Sequence, residues 1–199
     1  MILNTEHITK SFGKKKVLKN ISFKLEAGSI SGIVGENGSG KSVLLEIIVG
    51  LRAPDKGKVR KNGKIGYCPQ STMLFPHLTV QEHFTYFSAA YGIDKKLSID
   101  QSEELMHHFN YKKYQQEKII NLSGGTQQKL NLSIALIHKP DILILDEPYN
   151  GFDYDTYKRF WDYSNNLKNQ GCTILIVTHL LNEKERLDQI FELENGNLV

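Results

Sequence analysis

Apolar and polar positions alternate as strands do over the opening of the chain, where Ile2 to Ile8 and Val17 to Leu25 predict two strands. Ile30 to Val34 is a short apolar run that leads straight into the glycine-rich stretch Gly35–Gly40. After it, Val43, Leu44, Ile47 and Ile48 follow helical spacing and Gly50 supplies a stop. Residues 57 to 67 predict short strands joined by Asn62-Gly63, a dipeptide that favours a hairpin turn. The middle of the chain changes character. Val80, Phe84, Phe87 and Tyr91 form one helical face suited to packing, and helical patterns continue from 98 to 138 with breaks near Asn110-Tyr111 and at Leu122–Gly125. Strand Ile142–Leu145, a helix over about 154–169, strand Thr173–Val177 and strand Gln189–Leu193 then follow, with an Asn195-Gly196 turn after them. The coarse plan is an α/β sheet with a helical insert and no internal repeat.

Composition narrows the classes. The 199 residues suit one domain with a real core, and 40% hydrophobic against 24% charged residues is the balance of a globular protein. A formal charge of +3, with lysines scattered and not gathered into a stripe, gives no expectation of nucleic-acid binding. Lys14-Lys15-Lys16 reads as a solvated turn. Cys68 and Cys172 have no metal-ligand spacing and read as free thiols of a reducing compartment. No secretory leader is expected, since Met1-Ile2-Leu3 meets polar Asn4, Thr5 and Glu6. No stretch approaches the ~20 apolar residues that span a bilayer, so any membrane-spanning part is expected from another chain.

The first chemistry lies in Gly35-Glu36-Asn37-Gly38-Ser39-Gly40-Lys41-Ser42, which matches the phosphate-binding P-loop pattern. Glycines let successive N–H groups converge on phosphate oxygens, and the following helix turns its N-terminal dipole to the same anion. Lys41 is then placed to bridge terminal phosphates and Ser42 to ligate Mg²⁺. A second site ends the apolar run Ile142–Leu145 with Asp146 and Glu147. α/β proteins bind ligands at such strand ends. Paired with the loop, Asp146 is expected to hold magnesium through water and Glu147 to polarise an attacking water. Taken alone, an apolar strand ending in two acids would more often be a strand meeting solvent.

Leu122-Ser123-Gly124-Gly125-Thr126-Gln127-Gln128-Lys129 strongly resembles the signature motif of ABC ATPases, and the resemblance extends over essentially the whole chain. It implies an α/β P-loop NTPase (RecA-like) core with an antiparallel β subdomain, residues 1–71 and 139–199, and a helical subdomain, residues 72–138, in one domain. It further implies that Phe12 stacks on adenine with Val17 beside it, and that Gly35, Asn37, Gly38, Ser39, Gly40, Lys41, Ser42 and Val43 hold ATP. Gln70 looks like the Q-loop glutamine that touches Mg²⁺ or water, Asn150-Gly151-Phe152-Asp153 the D-loop, and His179 the switch histidine that contacts the γ-phosphate. Ser123, Gly124 and Gly125, read as lying just before a helix from Thr126 to about His138, form a second anion-binding end. A single triphosphate does not need two such ends. By resemblance the second closes over ATP on a partner subunit, with Asp153 acting across the interface. Thr126 in place of glutamine, Phe152 in place of leucine and Val43 in place of threonine depart from the usual pattern and bear on rate and affinity.

The segment Phe75-Pro76-His77-Leu78-Thr79-Val80-Gln81-Glu82, followed by Tyr91-Gly92, resembles ATPases of ABC-2-type exporters. This implies a cytoplasmic, Mg²⁺-dependent ATP hydrolase that serves a separate membrane-spanning permease through a groove near Gln70 and residues 72–90. The alternatives are a soluble ATPase acting on ribosomes or DNA and a non-hydrolysing ATP-gated scaffold. The first would call for tandem domains, a long insert or a dense basic face; the second for loss of Glu147. No C-terminal regulatory domain is expected.

Overall fold

A computed structural model describes residues 1–178 and 185–199. Strands β1 (Leu3–Phe12) and β2 (Lys15–Leu25) form an antiparallel pair, and β4 (Lys56–Lys61) joins β1 on its other edge. Both early strands run further than their alternation predicts. His7 sits at φ 53° where the β1 register shifts, and such a bulge resets the in–out alternation while the strand continues to Phe12.

The second sheet has six strands in the order β5 (Ile65–Cys68), β6 (Ile142–Asp146), β7 (Thr173–Thr178), β3 (Ile30–Val34), β8 (Gln189–Glu194) and β9 (Asn197–Leu198). The first five are parallel; β9 turns back on β8. Parallel strands covered on both faces should be apolar at every position, and β3, β6 and β7 are buried throughout. Leu143, Leu145, Ile174 and Ile176 face one core with Phe84, Leu130, Phe160 and Trp161. Ile142, Ile144, Leu175 and Val177 face the other, with Leu44, Ile47 and the three-stranded sheet. Each fully buried aliphatic side chain contributes about 1.5–3 kcal/mol, so a central sheet with two such faces is the rigid frame of the molecule.

The expected hairpin at Asn62-Gly63 is corrected. β4 and β5 belong to different sheets, because the main chain of Lys64 is tied to Asp141 at the start of β6: Lys64 N–H donates to Asp141 Oδ2 at 2.7 Å, and Asp141 N–H donates to Lys64 O at 2.9 Å. The Asn195-Gly196 pair does make a hairpin, with Asn195 at φ 48° and Gly196 at φ 81° joining β8 to β9.

Helix α1 (Lys41–Val49) follows β3 and stops at Gly50 in the left-handed conformation. Three α-helices lie between β5 and β6 in the chain: α2 (Val80–Ala90), α3 (Lys95–His108) and α4 (Gly124–Leu136). α2 starts on a Thr79–Glu82 capping box and α3 on Asp94. α5 (Tyr154–Asn169) starts on Asp153 and spans the predicted residues. Among the described residues no helix is long and apolar enough to cross a membrane.

Candidate functional site

The loop between β3 and α1 has the backbone that phosphate binding demands. Gly38 and Gly40 lie at φ 83° and 110°, in the left-handed region. A β-carbon on Gly40 would sit 3.1 Å from the Val17 carbonyl oxygen, so β2 packs directly on the loop at that point. Ser39 Oγ is buried with no hydrogen-bond partner, a polar atom that an incoming anion's shell can satisfy. Lys41 Nζ bends back to donate to Gly35 O at 2.7 Å and Glu36 O at 2.9 Å. A cavity of roughly 630 Å³ opens beside the loop, lined by residues 35–39, by Lys15, Lys16, Val17 and Lys19 of β2, and by the β8–β9 turn. Its size suits a nucleotide-sized ligand.

Asp146 ends β6 and Glu147 follows it, one strand removed from the loop because β7 lies between β6 and β3. Both are buried. Burial raises the Asp146 carboxyl above its usual range; the nearby Ser42 hydroxyl acts the other way, and the neighbouring Glu147 adds to the rise. Burial likewise lowers the Lys41 ammonium, opposed by the charges of Glu147 and Asp146. Lys41, Ser42, Asp146 and Glu147 therefore form one electrostatically coupled group. Ser42 and Asp146 are hard oxygen donors, which fit a Mg²⁺ that completes its shell with water and phosphate oxygens.

Glu147 is held by its backbone and its carboxylate. It occupies φ 48°, unusual for a non-glycine residue, and its N–H donates to Val177 O at 2.9 Å. Its Oε2 accepts from Gln70 Nε2 at 3.2 Å and from Asn150 Nδ2 at 2.8 Å. Gln70, expected near metal or water, thus lies against the carboxylate.

Phe12 sits half-exposed at the tip of the β1–β2 hairpin. The Arg52 guanidinium lies over its ring at 5.1 Å from the centroid and Lys10 Nζ at 5.9 Å. Val43 is half-buried in α1 and packs against the core.

The second glycine pair differs in detail from expectation. Ser123 is the N-cap of α4, and Gly124 and Gly125 are its first two residues, not a loop ahead of it. Ser123 Oγ accepts from Thr126 N–H at 3.3 Å and lies 3.0 Å from the Thr126 hydroxyl, so threonine fits the first turn that a glutamine was expected to occupy. Asp153 caps α5 by accepting from Thr156 N–H at 2.8 Å and pairs with Lys129 of α4 at 3.6 Å. Those contacts, the Thr156 N–H foremost, hold its carboxyl below the usual range. His179 lies outside the described residues. Sequence reasoning placed Asn150 in the D-loop and Lys129 in the signature without a contact for either, and gave Arg52 no role; Asn150 meets Glu147 within its own turn, while Lys129 and Arg52 reach Asp153 and Phe12 on other elements.

A phosphate loop after one parallel strand, with an acid pair ending the next strand but one, defines a P-loop nucleoside triphosphatase. Residues 18–150 match the ABC transporter family. ABC transporter ATP-binding protein MJ1023 of Methanocaldococcus jannaschii is 37% identical over 99% of this chain and 76% of its own length. The linearmycin resistance ATP-binding protein LnrL of Bacillus subtilis is 32% identical over 100% of this chain and 68% of its own. Several other relatives are longer, and the chain spans 29% to 36% of their length. The ATP-binding cassette MJ0796, solved as a post-hydrolysis dimer bound to ADP and Pi, superposes with a TM-score of 0.91 at 26% identity over 99% of this chain and 96% of that one. The chain belongs to the ABC transporter family, as one of its ATP-hydrolysing subunits.

Proposed function

We propose that two ATP-binding subunits, two copies of this chain in the simplest case, close head to tail around two ATP molecules, and that hydrolysis between them drives a separate membrane-spanning subunit. The observation that carries this reading is the presence of two helix N-termini built for anions on different elements, α1 behind the P-loop and α4 behind Ser123. Only one of them belongs to the loop that bears Lys41. The dimeric, ADP- and Pi-bound state of the MJ0796 cassette supports the same arrangement.

In this reading Lys41 exchanges its two carbonyl partners for terminal phosphate oxygens, and the main-chain N–H groups from Gly38 to Ser42 hold the β-phosphate. Phe12 and Val17 receive the adenine, with Val43 beneath the α-phosphate. Bound by Ser42, Asp146 and Gln70, Mg²⁺ would neutralise charge on the phosphate oxygens. Glu147 orients the attacking water and accepts its proton, and His179 contacts the γ-phosphate. Ser123, Gly124 and Gly125 close over the second subunit's ATP, with Asp153 at that interface. Residues 72–138, which carry them, act as a helical subdomain that docks the permease near Gln70. The working place is the cytoplasmic membrane face, and the relative that confers linearmycin resistance favours export.

The Glu147→Gln variant tests the reading. With saturating MgATP it should sediment as a dimer and release phosphate at least a hundredfold more slowly than the natural chain, on the order of the loss from removing a general base. A variant that stays monomeric under MgATP, and pairs with no other ATPase subunit, would defeat the sandwich; equal phosphate release would remove Glu147 from its role. Copurification with a multispanning protein tests the membrane partner.

A further inference from the structure

We propose that Asn150 is a positioning residue for the hydrolytic carboxylate, its amide fixing Glu147 Oε2 jointly with the amide of Gln70. The proposal rests on Glu147 being the general base.

The geometry gives Asn150 two hold points on one residue. Its main-chain N–H donates to Glu147 O at 3.3 Å and its side-chain Nδ2 donates to Glu147 Oε2 at 2.8 Å. The turn Glu147–Asn150 is thereby closed by backbone and side chain together. Gln70 reaches the same oxygen from beyond β5, at 3.2 Å. Two donors from different elements meet on one carboxylate oxygen, so the plane of the carboxylate is set by two directions and not one. A carboxylate that must meet a water in line with a phosphorus atom gains from this, because small misplacements of a reacting group carry large rate penalties.

Two amide donors also stabilise the ionised acid, the form able to take a proton. Lys41 from α1 and Asp146 from β6 act electrostatically on the same cluster, and neither changes in the variants below. Asp at position 150 keeps the shape of Asn but replaces the donor with a charged acceptor beside Oε2. Like charges this close favour a shared proton.

The test is steady-state ATP turnover, with nucleotide affinity measured separately on the full chain and its partner assembly. Asn150→Ala should lower kcat about tenfold, the loss expected for a hydrogen bond to a charged group, with little change in ATP Kd. Asn150→Asp should lose at least as much, with ATP Kd again little changed, and Asn150→Ser, which keeps a short donor, should restore part of the rate. In a Glu147→Gln background Asn150→Ala should add no further loss. Melting temperature and ATP affinity of the isosteric Asn150→Asp chain report whether the turn still folds; if Asn150→Ala does not fold, the Asp and Ser chains carry the result. An Asn150→Asp enzyme with the natural kcat overturns the positioning role alone. Full turnover by Glu147→Gln overturns the underlying base assignment instead.

Discussion

Gly125 faces Gly151 so closely that a β-carbon on Gly125 would lie 2.4 Å from the Gly151 carbonyl oxygen. This contact joins the first turn of α4 to the turn before α5, and the Lys129–Asp153 pair spans the same seam. A β-carbon on Gly124, one residue earlier, would meet nothing within 4 Å. Gly125→Ala should therefore destabilise the protein by about 1–3 kcal/mol through overpacking against main chain. Gly124→Ala should be neutral or stabilising by up to about 1 kcal/mol, since alanine is the better helix former. Denaturant melts of the two chains check the pair. Equal stabilities would show that the seam yields freely.

The central frame was legible because its physics is local. Continuous apolar strands, a glycine loop and a helix-period run can be read without knowing what they touch, and β3, α1, β6, α5 and β7 fell within a residue or two of expectation. Asn62-Gly63 was misread because a turn dipeptide specifies a change of direction, not the strand that receives it; Asp141, some eighty positions away, decides that. The left-handed backbone of Glu147 was likewise invisible, since nothing in an acidic residue announces φ 48°. Its amide partners Gln70 and Asn150 come from turns after different strands, and sequence order does not reveal that they share an oxygen.

Asp146 places stability and activity in opposition. Its carboxyl is pushed up chiefly by burial, so ionising it in the absence of ligand is costly. A raised folded pKa means the native state holds the proton longer than the unfolded chain does. The associated stability is present at low pH and lost as pH rises from the unfolded value of 3.8 through the raised value. At neutral pH the ligand-free Asp146→Asn protein should thus melt at a higher temperature than the natural chain while losing Mg²⁺-dependent turnover. The advantage should shrink on acidification, as the natural carboxyl becomes neutral too. Thermal melts from pH 4 to 8, without nucleotide, decide the matter.

Phe12 offers an aromatic face at a hairpin tip, and the cations of Arg52 and Lys10 lie over the ring. If the ring receives the base, its loss should be felt by ATP and not by a ligand without a base. Phe12→Ala should weaken ATP binding by roughly ten- to a hundredfold, the scale of one base–aromatic stack, while inorganic tripolyphosphate binds as before. Titration calorimetry with both ligands measures the difference. Equal weakening of both would place Phe12 in the hairpin's structure and not in base recognition.

His83 gives the protein an acid-sensitive point outside the nucleotide site. It is fully buried in α2, its Nε2 accepts from Phe75 N–H at 2.9 Å, and its Nδ1 lies 2.9 Å from Thr79 O. With Nε2 accepting, the proton must sit on Nδ1 and be donated to Thr79, which fixes the neutral tautomer. A proton on Nε2 would face an N–H group. Burial lowers the His83 pKa, partly opposed by the Thr79 carbonyl and the Glu82 charge. The unfolded chain therefore takes up a proton before the native state does, and stability present above the unfolded value of 6.5 is lost as pH falls toward the lowered native value. His83→Gln should be less stable at pH 7.5, by about 1–2 kcal/mol for the two hydrogen bonds it weakens, yet lose less on moving to pH 5.5. His138, lowered in the same sense chiefly by burial, leaves a residual slope in the variant. An unaltered slope in His83→Gln would assign the acid sensitivity to other groups, and the segment from Phe75 to Thr79 would then owe its place to the aromatic packing of Phe75 on Tyr86 and Phe87.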